Sequence, residues 1–218
     1  MCHGMACGAG GLAAGEWLIM YWQRRLPHWV PQDAVIFVTW RLAGTLPQPK
    51  PSVLAGGKTA GATFALQDRE LDRTPFGPRW LNEPRIASIV VEALLYGESV
   101  RHLYVLFAWV VMPNHVHVVF KPTLTLPETM RWLKTATAVR ANALMGRHKE
   151  AFWQREYYDH WLRSEKELFS AVRYVENNPV TAALVPHPEA WRWSSAWNGG
   201  AGGLAAGALS SHLPPSVS

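Results

Sequence analysis

Cysteine is nearly missing from this chain. Both copies, Cys2 and Cys7, fall in a glycine-rich leader. The remainder therefore offers no thiols for a disulfide framework or a thiolate zinc site. Cys2, His3 and Cys7 could bind a soft metal, but an unstructured leader accounts for them better. Long apolar runs are also lacking. Hydrophobic residues make up 49% of the chain, yet no uninterrupted stretch approaches the roughly 20 residues a membrane span needs. The start lacks a basic n-region, and Glu16 breaks its apolar segment, so no secretory signal is expected and the protein is placed in the cytoplasm. Acidic residues are in the minority, 16 against 21 Lys and Arg, for a net charge of +5. That balance favours an acidic partner such as nucleic acid.

What is abundant is tryptophan, with 12 copies in 218 residues. Most should be core. Aromatics interleaved with basic residues also suit stacking on unpaired bases, as in Trp22-Gln-Arg24-Arg25 and Trp191-Arg192-Trp193. Taken singly, each of these is better explained by packing with an overlying arginine.

Residues 1–20 and the tail from 198 read as disordered, being small, polar and aperiodic. Gly-Ala-Gly-Gly-Leu-Ala-Ala-Gly occurs at 8–15 and again at 200–207. Both tails are expected to be translated flanking DNA, with Met20 a plausible start. One domain is expected over 21–197, interrupted by an irregular Gly/Pro-rich excursion at 44–83.

Within that domain Ala34–Arg41 is a strand. Pro84 opens a helix with Ile86, Ile89, Val90, Ala93 and Leu94 as its apolar stripe and Gly97 at its end. Leu103–Met112 and His115–Lys121 form a hairpin around Pro113-Asn114. A helix over 127–144 is expected to bury Trp132, Ala136, Val139 and Ala143. Residues 156–163 are strand-like. Ser164-Glu-Lys-Glu167 reads as a capping box opening a last helix, with Leu168, Ala171, Val172 and Val175 inward and Pro179 at its end. Strand, helix, strand, strand, helix, strand, helix is the order of an α+β, ferredoxin-like sandwich with a central antiparallel sheet and an additional C-terminal helix.

His115 and His117 stand two apart in a β-rich run, so they share a face while Val116, Val118 and Phe120 take the other. Their Cα atoms lie roughly 6–7 Å apart at about 3.3 Å per residue, close enough for both imidazoles to meet one divalent ion. Alone, the pair is equally two histidines on a sheet face. Tyr174 and Asn178 are four apart on the last helix and share its stripe margin. Alone, these are a packing tyrosine and a helix-ending Asn before Pro.

Several ordered blocks change the weighing. Met112-Pro-Asn-His-Val-His117, Phe152–Arg163, Tyr174-Val-Glu-Asn-Asn178-Pro-Val180, Trp193-Ser-Ser195 and the Thr39-Trp-Arg41-Leu42 strand together resemble the REP-associated tyrosine transposases. These belong to the HUH single-strand transposases, and the resemblance spans roughly 22–197. The 44–83 excursion departs from short family members. The resemblance implies a DNA strand transferase in which His115, His117 and Asn178 hold a divalent ion, Mg²⁺ or Mn²⁺. Tyr174 would be the nucleophile, forming a 5′-phosphotyrosine on single-stranded or hairpin DNA. Tyr157 and Tyr158 are rival nucleophiles, only one of which could face the ion. Arg24, Arg25, Arg41, Lys134, Arg140 and Arg163 are candidate DNA contacts, each by default an ordinary surface charge. A monomer or a homodimer is expected, associated with the nucleoid when DNA-bound. The alternatives are a domesticated hairpin-DNA-binding protein without catalysis and a His-x-His metal hydrolase. The chain is short for a barrel hydrolase and lacks repeated strand–helix units.

Overall fold

The computed structural model describes residues 19–23, 27–31, 33–45 and 77–198. The chain divides into two units, 1–32 and 33–218. In the first, strands β1 (Ile19–Gln23) and β2 (Pro27–Pro31) pair antiparallel, from Ile19 opposite Pro31 to Gln23 opposite Pro27. Sequence reading did not anticipate this hairpin, because proline at both ends of β2 argues against a strand unless it lies at an edge.

The second unit is an α+β fold. Its elements run β3 (Val35–Arg41), α1 (Pro84–Ser99), β4 (Tyr104–Val111), β5 (His115–Pro122), α2 (Leu126–Leu144), β6 (Tyr158–Leu162) and α3 (Glu165–Thr181). This is the expected element order. The strands form one antiparallel sheet in the order β4-β5-β3-β6. Among the described residues no helix is long and apolar enough to cross a membrane.

Strand alternation divides the sheet into two faces. Ile36, Val38, Trp40, Val116, Val118 and Phe120 are buried on one. There Tyr104 stacks on Phe120, and its hydroxyl donates to the Leu94 carbonyl of α1. Trp153 packs on Trp40 and donates its indole N–H to Thr137 of α2. The other face carries Phe37, Ala108, Val110 and Val119, covered by Leu168, Val172 and Val175 of α3.

Three local expectations are corrected. The α1 stripe is buried as expected, but Gly97 lies inside the helix. A Cβ there would collide with the Tyr104 hydroxyl, so the glycine serves close packing and not termination. Helix α2 buries Leu126, Thr129, Met130, Leu133, Thr137 and Ala141, while Val139 is 65% exposed, Ala143 is exposed, and Trp132 and Ala136 are half-buried. The stripe is displaced because threonines serve the core: the Thr137 hydroxyl donates to the Leu133 carbonyl and receives Trp153. Pro179 lies within α3, which continues to Thr181.

Side chains cap the starts of α2 and α3. Ser164 accepts from the Glu167 N–H, and Glu167 reaches back past it to the Arg163 N–H. The reciprocal capping box falls at Thr125 and Glu128 instead.

Candidate active site

The hairpin turn that delivers the histidines is pinned by its own carbonyls. Leu81 donates to the Pro113 oxygen and Leu42 to the Asn114 oxygen, while Met112 N–H closes on His115. Strand β5 thus leaves a fixed turn, with His115 opposite Arg41 and His117 opposite Thr39 on β3. Cross-strand partners share a face, so all four lie on the side covered by α3.

Both histidines are 0% exposed. Their Nε2 atoms are 2.9 Å apart, and the rings meet edge-on at 74°. Each Nδ1 has its own partner: Asn114 Oδ1 at 2.7 Å for His115 and Thr39 Oγ1 at 2.6 Å for His117. An amide oxygen only accepts, so His115 carries its proton on Nδ1 and presents a lone pair at Nε2. With both imidazoles neutral, the His117 Nε2–H donates across the gap and the Thr39 hydroxyl donates to the His117 Nδ1.

Phe37 stacks on His117 with ring centroids 5.6 Å apart. Tyr174, from α3, meets the same imidazole edge-on at 5.8 Å and Phe37 at 6.0 Å. Asn178 lies one turn further along α3 and is buried. One helix therefore places Tyr174 against the histidines and carries Asn178 inside the fold.

Of the two rival tyrosines, Tyr157 is buried beneath the Lys134 ammonium, 5.8 Å from its ring. Tyr158 is the cross-strand partner of Thr39 and packs edge-on against Phe37. Burial, then the Asp159 carboxylate, push its hydroxyl up to about 12.

Among the described residues, no three His, Cys, Asp or Glu side chains cluster to hold a metal. The two-imidazole and amide set is of a different kind; with their Nε2 atoms 2.9 Å apart, the two imidazoles are close enough to reach one cation together.

The candidate DNA contacts separate by environment. Arg24 and Arg25 lie outside the described residues. Lys134 donates to the Gln154 and Arg155 carbonyls, Arg140 pairs with Glu92, and Arg163 lies over Trp161. Arg41 is buried at the end of β3. In the C-terminal Trp-Arg-Trp segment, Trp191 donates to the Val111 carbonyl and Arg192 lies 4.3 Å over the Trp193 ring. Ser194 bridges Val110 at the β4 edge, and the Ser195 hydroxyl donates to Glu176 of α3. The roles of Thr39 and Asn114 escaped sequence reading. Both stand in the quoted motif blocks, but their hydrogen bonds depend on cross-strand register and turn geometry.

Comparison with known proteins gives the buried histidine pair and the facing helix tyrosine a family context. Residues 89–178 match the family model described as transposase IS200 like. Over parts of its length the chain is thus similar to REP-associated tyrosine transposases. It is 28% identical over 93 residues to the REP-associated tyrosine transposase of Escherichia coli, covering 40% of this chain and 52% of that protein. It is 30% identical over 94 residues to an uncharacterized protein of Haemophilus influenzae, covering 33% and 52%. The chain thus spans about half the length of these curated relatives. A solved REP-associated tyrosine transposase bound to a REP hairpin aligns with 81% of this chain and 82% of its own, at 17% identity and a TM-score of 0.46. At that score the likeness carries no functional weight.

Proposed function

We propose that the chain is a metal-dependent single-stranded DNA endonuclease and strand transferase working through a 5′-phosphotyrosine at Tyr174. The observation that carries this reading is the Tyr174 ring against His117, whose Nε2 stands 2.9 Å from that of His115. The family-model match and the similarity to the Escherichia coli relative support the substrate class, hairpin or repeat DNA. The strand order β4-β5-β3-β6, with α1 and α2 on one face, supports reading the core as a ferredoxin-like sandwich and α3 as its additional helix. Residues 21–197 are the proposed catalytic domain, with 44–83 an insertion.

His115, His117 and Asn178 would hold Mg²⁺ or Mn²⁺. The bound cation would polarise the phosphoryl group and favour the phenolate at the scissile phosphate. The protein's part is placement. Asn114 and Thr39 orient the imidazoles, Phe37 walls one side of His117, and α3 presents the tyrosine hydroxyl for in-line attack. The Tyr174 oxygen bonds to phosphorus as the P–O3′ bond breaks. The phenolic proton is lost, and the departing oxygen leaves as a 3′-OH. Attack by a 3′-OH on the phosphotyrosine reverses the exchange and rejoins a strand without ATP, because one phosphodiester replaces another. Tyrosine and histidines come from one chain, which supports action as a monomer. A DNA substrate would place the protein in the cytoplasm, at the nucleoid when bound.

The test is incubation of the protein with single-stranded hairpin DNA and Mn²⁺ or Mg²⁺, followed by denaturing electrophoresis. A denaturant-resistant adduct dependent on the cation is expected. Tight binding with no adduct would favour a non-catalytic hairpin binder, and neither binding nor adduct would overturn both.

A further inference from the structure

Arg41 ends β3 as the cross-strand partner of His115, on the face that carries His117 and Thr39. Its backbone is fixed, since its carbonyl accepts from the Gln154 N–H at 2.8 Å. The residue is only 9% exposed, and its Nη1 is buried with no hydrogen-bond partner among the described residues. A buried guanidinium is costly unless an anion or acceptor compensates it. Burial lowers its pKa, as expected for a cation short of a counter-charge. Its neighbours in register on that face, Thr39 and His115, are neutral or basic and supply no carboxylate. That leaves the buried Nη1 without an acceptor from its register neighbours. A planar fork of N–H donors suits the paired oxygens of a phosphate better than any single acceptor.

We propose that Arg41 receives a non-bridging oxygen of a phosphodiester in the bound single strand, registering the backbone beside the histidine pair. This rests on the strand-transfer reading above for its substrate, and its test is kept separate by measuring binding without chemistry. Wild type, Arg41→Met and Arg41→Lys would be titrated with a fluorescent single-stranded hairpin oligonucleotide in EDTA at several salt concentrations, and each melted thermally. Arg41→Met should bind about 10–100-fold more weakly, as for loss of a charged hydrogen bond. Its log–log salt slope should be shallower by about 0.7, one phosphate contact on a single strand. Arg41→Lys should recover part of the affinity and the slope. The Met variant should melt no lower than wild type, because an apolar side chain replaces a buried charge.

Two results overturn the proposal. One is wild-type affinity in Arg41→Met. The other is a clearly lowered melting temperature with an unchanged salt slope, which would mean that the guanidinium holds an acceptor of its own fold. Should the Met variant fail to fold, Arg41→Gln carries the same two readings. Wild-type adduct formation is scored independently. Binding without adduct leaves Arg41 as the phosphate receptor and removes strand transfer, whereas adducts with unaffected Arg41→Met binding remove only Arg41.

Discussion

Thr39→Val probes how the histidine pair is held. The Thr39 hydroxyl lies 2.6 Å from the His117 Nδ1, and both residues are buried. Valine keeps the volume and removes the hydroxyl. A buried nitrogen that loses such a partner costs about 1–3 kcal/mol, which lowers the melting temperature by about 2–4 °C per kcal/mol in a chain of this size. The larger effect should be on cation affinity. Without a cation and with both rings neutral, His117 donates from Nε2 to His115 and accepts from Thr39. When both Nε2 lone pairs face a cation, the His117 proton must sit on Nδ1, and Thr39 must turn from donor to acceptor. A hydroxyl does both; a methyl does neither. Loss of a partner that orients a ligand typically lowers metal affinity about 10–100-fold. Calorimetric titration with Mn²⁺ should show that loss in Thr39→Val, with near-complete recovery in Thr39→Ser. Wild-type Mn²⁺ affinity in the folded valine variant would refute the reasoning, and so would a serine variant as weak as the valine one.

Tyr174→Phe should abolish covalent adducts while leaving single-strand binding within about twofold of wild type by fluorescence anisotropy, since a ring that packs on His117 and Phe37 is retained; adducts that persist would transfer the role to Tyr157 or Tyr158. Gly97→Ala should destabilise by about 1–3 kcal/mol, because its Cβ meets the buried Tyr104 hydroxyl; adding Tyr104→Phe in a denaturation cycle should relieve part of that cost, and strict additivity would count against the contact. Burial raises the Glu176 carboxyl above its ordinary 4.5, so the folded state retains that proton to higher pH than the unfolded state does. Its contribution to stability is complete below the unfolded pKa and falls as pH rises from there through the folded value. Glu176→Gln can still accept from Ser195 and should gain stability on wild type between pH 4 and pH 7; a constant difference in melting temperature over that range would contradict the assignment.

How much of this was legible in the sequence depended on what each residue reports locally. The α1 stripe, the hairpin around Pro113-Asn114 and the start of α3 follow from periodicity, turn chemistry and capping, all of which act within a few residues. The inward face of α2 was missed because Thr129 and Thr137 count as polar in a pattern, although Thr137 closes the Trp153 indole. Intrinsic preference marks Gly97 and Pro179 as helix stops. Close packing on Tyr104 keeps the first inside α1, and buried packing keeps the second inside α3. At the site, His115 and His117 stood out by spacing, and Tyr174 and Asn178 by resemblance. Thr39 as the partner of His117, and Arg41 beside His115, needed the register between strands separated by more than seventy residues. No local signal reports that register. Lys134 illustrates the opposite limit: it reads as a surface charge, but its ammonium clamps the 154–155 carbonyls.

The central claim is that α3 supplies the nucleophile. Trypsin separates the candidates cleanly, because Tyr174 opens the peptide 174–192 while Tyr157 and Tyr158 both fall in 156–163. Adduct formed with single-stranded hairpin DNA and Mn²⁺ would be digested with nuclease and trypsin and mapped by mass spectrometry. The account predicts a nucleotide phosphate on Tyr174. A nucleotide on the 156–163 peptide would contradict it.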